Sequence, residues 1–359
     1  MGGFPLEPDT PAWVMSIPTR KRTMTKTVVL TGITGFIAKR IALDLLEAGH
    51  RVRGSLRSMA RADEVRDTLR RHLNDPAALN RLDFVELDLM RDDGWEDALK
   101  GADALVHTAS PFPIAQPKDP QDVVRPAVDG TLRALRAATA AGVTRVVLTS
   151  SIVAMMQTAA ARSRPVTEAD WSDPDDPTMT PYGLSKTQAE RAAWAYVADH
   201  PATQLVVINP GLVVGEPLDE HYGTSLRLIE RLFGGKDPMV PDIALAVVDL
   251  DDVSRLHVQG VSNDAMVGHR HLAAAAMVGM PHLARVLADA YPGRKIATRI
   301  APAFLLRLLA LFDPVLKSIV PQLGIRYKLD NSTTRQRTGI AFVPVDTAVL
   351  KTATWLASR

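Results

Sequence analysis

A tyrosine and a lysine at helical spacing form the most reactive pair in the sequence. Tyr182 and Lys186 belong to the stretch PYGLSK, where a helix is predicted, and positions i and i+4 lie on one helix face. A free phenol has a pKa of about 10, and a nearby ammonium lowers it. We therefore expect Tyr182 to exchange a proton with a carbonyl or alcohol oxygen, while Lys186 lowers the pKa of the tyrosine.

A group of hydroxyls upstream of this pair ends a predicted strand. Thr149, Ser150 and Ser151 follow the apolar run VVL, and open parallel sheets bind ligands beyond the carboxyl ends of their strands. A serine there can hydrogen-bond a substrate oxygen and stabilise charge as hydride moves. Tyr-x-x-x-Lys alone is common by chance, but its combination with a strand-end serine and a dinucleotide turn indicates hydride transfer.

A glycine-rich turn near the amino terminus supplies that dinucleotide signal. The sequence TGITGFIA spans residues 31–38, between the first predicted strand and the first predicted helix. Gly32 permits the tight turn, Gly35 lets the backbone approach a pyrophosphate, and Ala38 allows close helix–strand packing. The helix N-terminus offers free N–H groups to the phosphates. An ordinary turn is the alternative, but the position in an α/β pattern favours dinucleotide binding.

The residues after the second predicted strand favour NADP(H) over NAD(H). NAD-binding proteins usually have an acidic residue there for the ribose 2′-hydroxyl, whereas this chain has Arg57 and Arg61 and no acid before Asp63. Two planar guanidinium groups can hold a 2′-phosphate. The alternative is that both arginines are solvated surface residues.

Two further strand ends are candidates for cofactor contact. Asp88, just past the third predicted strand, is placed to accept a hydrogen bond from the adenine amino group, unless it is an ordinary surface residue. Thr108, Ala109 and Ser110 follow the fourth predicted strand and are small enough to lie under the cofactor.

The elements that would position these groups alternate between strand and helix. Helices of about a dozen residues between strands indicate parallel β-α-β units, and continuously apolar strands indicate a sheet covered on both faces. We predict an α/β fold with a Rossmann-type, doubly wound parallel sheet and a smaller C-terminal substrate-binding lobe. The predicted strands are 28–30, 51–56, 82–87, 104–107, 143–149 and 205–208.

Three parts are predicted along the chain. Residues 1–25 are expected to be a flexible tail, with Met24 as the native start or the start of the ordered fold. Residues 26–210 form the NADP-binding domain, and residues 211–359 form mainly the substrate-binding lobe, with some segments returning to the first domain. Helices of the second half are predicted near 223–233, 251–261, 279–290, 301–320 and 345–357.

Composition and charge exclude several classes of protein. The 359 residues include 42 Lys plus Arg and 40 Asp plus Glu, and the excess of two lies in residues 1–26, which hold four basic and two acidic residues. No extended positive field therefore favours nucleic acid as a partner. The absence of cysteine excludes disulfides and cysteine-ligated metals. No metal is expected, since His269 and His271 lack an obvious third ligand.

No stretch reaches the roughly 18 apolar residues that a membrane span needs. The most apolar region, 300–312, is interrupted by Arg307 and ends at Asp313, and we expect a helix there that is buried or covers the lobe. The expected protein is cytoplasmic, a monomer or homodimer, and acts on a small-molecule carbonyl or alcohol.

Seven short stretches carry a family resemblance. They are 31–38, 54–58, 106–112, 145–151, 181–186, 209–215 and 248–253. On these stretches the chain resembles the extended short-chain dehydrogenase/reductase family. Within it, the chain is most similar to the branch of dihydroflavonol reductases, cinnamoyl-CoA reductases and yeast-type ketone/aldehyde (methylglyoxal) reductases. The similarity runs from about residue 26 to the end and is strongest before residue 215.

The resemblance implies roles for individual residues. It implies Ser151, Tyr182 and Lys186 as the catalytic set. The residues expected to contact the cofactor are Gly32, Thr34, Gly35, Phe36, Ile37, Arg57, Arg61, Asp88, Leu89, Thr108, Ala109, Ser110, Tyr182, Lys186, Pro210 and Val213.

The segment after Ser151 departs from the plant enzymes of this family. It is apolar and rich in methionine, a residue that adapts to irregular apolar ligands or fills a core. The substrates of the plant enzymes are therefore not assumed. The candidates for the substrate pocket are Phe112, Ile152, Met155, Met156, Leu218, Phe233 and Met239.

These features together favour an NADPH-dependent carbonyl reductase, reversible as an alcohol dehydrogenase, with Tyr182 as proton donor and an apolar or aromatic substrate. The alternatives are an NAD-dependent sugar-nucleotide epimerase or dehydratase, a 3β-hydroxysteroid dehydrogenase-like enzyme, and a non-catalytic redox sensor. The missing acid after the second strand argues against the epimerase. A sensor has no need of Ser151, Tyr182 and Lys186 together.

Overall fold

The computed structural model describes residues 24–110, 119–312 and 314–359. Within these ranges, no helix combines the length and the apolar content needed to cross a membrane. All but the last two residues of the predicted N-terminal tail lie outside the described ranges.

Parallel strands form the centre of the molecule. The described strands are β1 (Thr27–Thr31), β2 (Arg51–Leu56), β3 (Leu82–Glu86), β4 (Ala104–His107), β5 (Arg145–Thr149), β6 (Gln204–Pro210), β7 (Leu212–Val214), β8 (Ala244–Asp249), β9 (His269–Ala273) and β10 (Ala276–Gly279). Seven of them pair in the order β3-β2-β1-β4-β5-β6-β9, all parallel. The order in which the chain adds strands reverses between β1 and β4: β2 and β3 lie on one side of β1, and β4, β5 and β6 follow on the other. Doubly wound sheets bind dinucleotides at this position.

Helices cover both faces of this sheet. The helices of the described residues are α1 (Phe36–Glu47), α2 (Ala62–His72), α3 (Trp95–Leu99), α4 (Gln121–Ala140), α5 (Val153–Met156), α6 (Pro181–Asp199), α7 (Thr224–Phe233), α8 (Leu250–Gly260), α9 (Met280–Ala290), α10 (Ala303–Leu309), α11 (Pro314–Ile319), α12 (Ser332–Thr338) and α13 (Val345–Ala357). Successive strand side chains point to opposite faces. Val28 and Leu30 therefore pack with α1, α2 and α8, while Val29 packs with α3, α4 and α6.

A second, three-stranded sheet organises much of the chain after residue 210. Its order is β10-β8-β7, with β7 parallel and β10 antiparallel to β8. Ile229 of α7, Leu283 of α9 and Val349 of α13 are fully buried in one apolar cluster beside it. Strand β9 pairs instead with β6 of the large sheet, and α8 packs on α1 through Leu256. We keep the domain boundary at residue 210 as a proposal.

The stretch from residue 300 differs from the sequence prediction. The single helix predicted over 301–320 is two short helices, α10 and α11. Of the two alternatives expected for 300–312, a buried helix is wrong, because α10 buries Leu306 alone. Phe304 and Phe312 are 73% and 84% exposed.

Candidate active site

Hydrogen bonds join the carboxyl ends of the central strands β1 and β4. Thr31 Oγ1 accepts hydrogen bonds from the backbone N–H groups of Thr108 and Ala109, both at 3.1 Å, and lies 2.9 Å from His107 Nδ1. Burial lowers the pKa of His107 to about 3, so the imidazole is neutral. The small residues predicted to lie under a cofactor are therefore held directly beside the glycine turn.

The glycine turn has the geometry that its sequence predicts. Gly32 has a φ of +69°, a left-handed conformation that glycine adopts without steric cost, and a Cβ there would lie 3.1 Å from Ala109 Cβ. Its N–H donates to Ser55 Oγ at 3.0 Å. A Cβ on Gly54 would lie 2.4 Å from Ile33 Cδ1. The turn is thus pressed against the end of β2, and larger residues would displace it.

The first turn of α1 presents unused backbone donors. Gly35 is the N-cap, is extended and exposed, and no side chain caps the helix. The first N–H groups of a helix have no intrahelical partner, so those of Phe36 and Ile37 remain for a ligand. Ala38 is 2% exposed and packs into the core below them. This half-exposed turn, with Thr34 at its rim, fits a pyrophosphate through N–H donors and the positive end of the helix dipole.

The two arginines predicted to hold a 2′-phosphate differ in their contacts. Arg61 donates from Nε and Nη2 to the carboxylate of Glu64, at 2.9 and 2.8 Å. This pairing raises the pKa of the Arg61 guanidinium. Arg57 is exposed and, within the described ranges, forms no ion pair. Arg57 is therefore available to an anion, whereas Arg61 shares its charge with Glu64.

The end of β3 supplies a carboxylate that is partly used by its own turn. Asp88 is half-buried, and its Oδ1 accepts the backbone N–H of Met90 at 2.9 Å. Leu89 lies against α4, where a Cβ on Gly130 would be 3.3 Å from Leu89 Cβ. One oxygen of Asp88 is thus engaged in positioning the loop.

Ser151 lies just beyond the end of β5, clamped against β6. The backbone N–H of Ile152 donates to Pro210 O at 2.9 Å, and Ser151 Oγ is 3.5 Å from the same carbonyl. Asn209 Nδ2 donates to Ser151 O at 3.1 Å. The serine is therefore fixed by two strands rather than carried on a free loop.

Tyr182 is the second residue of α6, and its phenol interacts with the Ser151 side chain. The helix start is set by Thr180, whose Oγ1 accepts the N–H of Gly183 at 3.0 Å, and by Pro181 at the first position. These features hold the phenol at the carboxyl edge of the sheet.

The pKa of Tyr182 moves opposite to the sequence prediction. Burial raises the pKa of Tyr182, and the hydrogen bond with Ser151 lowers it by less. We expected Lys186 to lower this pKa, but the loss of hydration around the phenolate dominates. Tyr182 therefore holds its proton at neutral pH, which suits a proton donor.

Lys186 lies one turn along α6 and is only 8% exposed. Its Nζ is 3.5 Å from the backbone oxygen of Thr149, at the end of β5. Burial lowers the pKa of Lys186 to about 8, while the negative charge of Glu190 acts to raise it. The structure thus brings Ser151, Tyr182 and Lys186 together.

Glu190 is a buried carboxylate that sequence reasoning missed. It accepts hydrogen bonds from Ser150 Oγ at 2.5 Å and Asn209 Nδ2 at 2.7 Å, and it forms an ion pair with Arg270. Tyr182, Lys186 and Glu190 have positions i, i+4 and i+8 on one helix face, a signal that could have identified it. Glu190 therefore ties the ends of β5 and β6 to the helix that carries Tyr182.

The residues predicted to line a substrate pocket are dispersed. Ile152 and Met155 are 4% and 0% exposed and pack with Leu272 and Tyr327 in one apolar cluster. Met155 therefore fills the core and lines no open surface, while Met156 is half-buried. The prediction for Met155 as a wall of an open pocket is not supported, because its neighbours enclose it.

Two more of these residues lie in separate cores. Leu218 is buried in the cluster that contains α1 and α2, and Phe233 is buried in the lobe with its ring 4.9 Å from that of Tyr291. Met239 is half-buried. Phe112 lies outside the described residues. Pro210 and Val213, expected to contact the cofactor, are buried at the end of β6 and in β7.

One group of side chains in the described ranges has the spacing of metal ligands. Ligand atoms of Glu64, Asp219 and His221 lie within 4.8 Å of one another. Lys39 forms a buried ion pair with Asp219, and Arg61 pairs with Glu64. Both carboxylates therefore already have cationic partners, which does not favour a metal ion.

Comparison with known proteins identifies the family. Residues 28–254 match the model of the NAD dependent epimerase/dehydratase family. The chain belongs to this family. It is 34% identical over 277 residues to cinnamoyl-CoA reductase 1 of Arabidopsis thaliana, covering 76% of this chain and 77% of the relative. It is 33% identical over 282 residues to dihydroflavonol 4-reductase of Zea mays, covering 76% of each.

These relatives confirm the predicted reductase branch of the extended short-chain dehydrogenase/reductases, and the chain is an oxidoreductase of that branch. Among solved structures, the yeast methylglyoxal/isovaleraldehyde reductase complexed with NADPH superposes with a TM-score of 0.76 at 24% identity, covering 92% of this chain and 98% of that one. Alfalfa vestitone reductase superposes with a TM-score of 0.72 at 23% identity, covering 93% of this chain and 99% of that one. The predicted Rossmann-type fold is confirmed.

Proposed function

We propose that the protein is an NADPH-dependent carbonyl reductase for apolar or aromatic ketones and aldehydes, with alcohol oxidation as its reverse reaction. The observation that carries the proposal is the placement of the Tyr182 phenol beside the Ser151 side chain, at the carboxyl ends of the strands, where the glycine turn also lies. Lys186 lies buried beside it. These are the groups that proton-coupled hydride transfer to a carbonyl needs.

The cofactor is NADP(H). The backbone donors of Phe36 and Ile37 hold the pyrophosphate, and Arg57 holds the 2′-phosphate with help from Arg61. NADP(H), when bound, supplies or receives the hydride. The remaining contacts proposed for it come from Gly32, Thr34, Gly35, Asp88, Leu89, Thr108, Ala109, Ser110, Tyr182, Lys186, Pro210 and Val213.

The side chains of the protein complete the reaction around the substrate oxygen. Ser151 Oγ donates a hydrogen bond to that oxygen and orients it toward Tyr182. The Tyr182 hydroxyl then donates its proton to the same oxygen as negative charge develops. The Lys186 ammonium stabilises the phenolate left behind, since an opposite charge favours the ionised form.

The specificity is proposed to come from residues 211–359, together with Met156 near Ser151. An apolar wall at these positions favours aryl ketones, α-ketoaldehydes, hydroxysteroids or flavonoid-like compounds over sugar nucleotides.

A panel of such ketones and aldehydes, followed by NADPH absorbance, tests the proposal. We expect NADPH oxidation with at least one apolar carbonyl compound and much slower oxidation of NADH. No oxidation across the panel, combined with NAD released from the denatured protein, would instead support a sugar-nucleotide epimerase or dehydratase that retains its cofactor.

A further inference from the structure

The segment 300–312 presents a cluster of exposed apolar side chains, here named the apolar face. Its members expose between 44% and 84% of their surface and are Ile300, Phe304, Leu308, Leu309, Leu311 and Phe312. The other large apolar side chains that are exposed in the described ranges are single methionines, at positions 24, 59 and 90. A contiguous apolar group of this kind marks an interaction surface.

The apolar face has an ordered backbone. Phe304, Leu308 and Leu311 follow the spacing i, i+4 and i+7, which places them on one side of a helical path. That path continues past α10, because the N–H groups of Leu311 and Phe312 donate to Leu308 O and Leu309 O at 3.2 and 3.0 Å. Leu306 is the one residue of α10 that is buried. The helix therefore turns most of its apolar surface outward.

Positive charge is concentrated in the chain segment that contains this face. Residues 292–329 contain seven basic residues and one acidic residue, Asp313, so the segment carries +6. Residues 27–359 as a whole are neutral by the same count, because the overall excess lies in residues 1–26. All seven basic side chains are exposed: Arg294, Lys295, Arg299, Arg307, Lys317, Arg326 and Lys328. Arg326 forms an ion pair with Asp242, and the other six form no ion pair within the described ranges.

We propose that the apolar face docks on a lipid surface that contains anionic phospholipids. Apolar side chains that flank exposed lysines and arginines lie at the boundary of headgroups and acyl chains, with the cations at lipid phosphates. A two-fold contact with a second copy would bring the same positive segment against itself, which Coulomb repulsion disfavours. Docking is peripheral and does not depend on the proposed reaction.

Sedimentation of the full-length protein with extruded vesicles tests this proposal. We expect binding to vesicles of phosphatidylcholine mixed with phosphatidylglycerol, and at least about tenfold weaker binding to phosphatidylcholine alone, because each basic residue near the surface contributes. Added salt weakens the binding by screening those charges. The double variant Phe304→Glu/Phe312→Glu should lose binding to both kinds of vesicle while its Tm stays unchanged or rises.

Matched controls distinguish binding through the apolar face from nonspecific hydrophobic adsorption and from a general effect of charge. Met90→Glu makes the same change at another exposed apolar residue and should bind vesicles like the wild type. Arg307→Glu/Lys317→Glu should abolish the preference for phosphatidylglycerol, whereas Arg51→Glu/Arg70→Glu, at exposed positions elsewhere, should retain it.

Three outcomes would overturn the proposal. The first is a wild-type protein that does not sediment with anionic vesicles. The second is binding that Phe304→Glu/Phe312→Glu leaves unchanged. The third is a dimer in solution that this double variant dissociates and that shows no lipid binding, since a second copy would then be the occupant.

Discussion

Replacing Glu190 by glutamine removes the negative charge that faces Lys186 from the next turn of α6. Charges one helical turn apart, at about 6 Å, interact by about 2–3 kcal/mol at an effective dielectric constant near 20. One pKa unit corresponds to about 1.4 kcal/mol. From the value of about 8 in the wild type, we therefore expect the pKa of Lys186 to fall by roughly one to two units in Glu190→Gln.

The assay is the pH dependence of kcat for ketone reduction. Because the Lys186 ammonium stabilises the Tyr182 phenolate, kcat should decline as pH rises through the pKa of Lys186. Glu190→Gln should move this decline to lower pH by the same roughly one to two units. The amide keeps an acceptor oxygen for Ser150, so the strand ends remain joined.

A control variant separates charge from damage to the fold. Arg270→Gln removes the cation paired with Glu190 and leaves that carboxylate uncompensated beside Lys186, so the decline should move to higher pH. Each variant leaves one buried charge without its partner and should lose about 3–5 kcal/mol of unfolding free energy. Declines that move the same way in both variants, or that do not move, refute the role of Glu190.

Three other predictions concern cofactor selectivity and packing. Arg57→Ala should weaken NADPH binding at least about tenfold and leave NADH binding unchanged; equal losses in a fluorescence titration would show that Arg57 does not contact the 2′-phosphate. Gly54→Ala should displace Ile33, lower the unfolding free energy by about 1–3 kcal/mol and raise KM for NADPH; an unchanged Tm and KM argue against the close contact. Met155→Ala should cost about 2–5 kcal/mol in urea unfolding because it opens a cavity in the core; a cost near zero would place Met155 on a pocket wall.

Short sequence patterns predict those parts of the site that are formed by a few consecutive residues. The turn containing Gly32 and the helix carrying Tyr182 and Lys186 each depend on a few consecutive residues, and both have the predicted backbone. Their meeting at one sheet edge follows from the rule that parallel strands share their carboxyl ends. The pKa of Tyr182 could not be predicted, because it depends on burial by distant parts of the chain.

Burial also explains the other differences between the structure and the predictions from sequence. An apolar side chain suits a core and a pocket wall equally well, so composition did not distinguish Met155 and Phe233, both enclosed by other segments, from true pocket residues. Hydrophobicity likewise predicts burial without ensuring it, as the exposed Phe304 and Phe312 illustrate. Glu190 went unnoticed because its partners Asn209 and Arg270 are far away in sequence.

The most direct test of the account is Tyr182→Phe, which keeps the ring and removes the hydroxyl that donates the proton. The measurement is kcat for NADPH-dependent ketone reduction, with NADPH affinity determined on the same preparation. We predict a fall in kcat of about 10²–10⁴-fold with NADPH affinity nearly unchanged. A variant that reduces the ketone at the wild-type rate would contradict the assignment of Tyr182 as the proton donor.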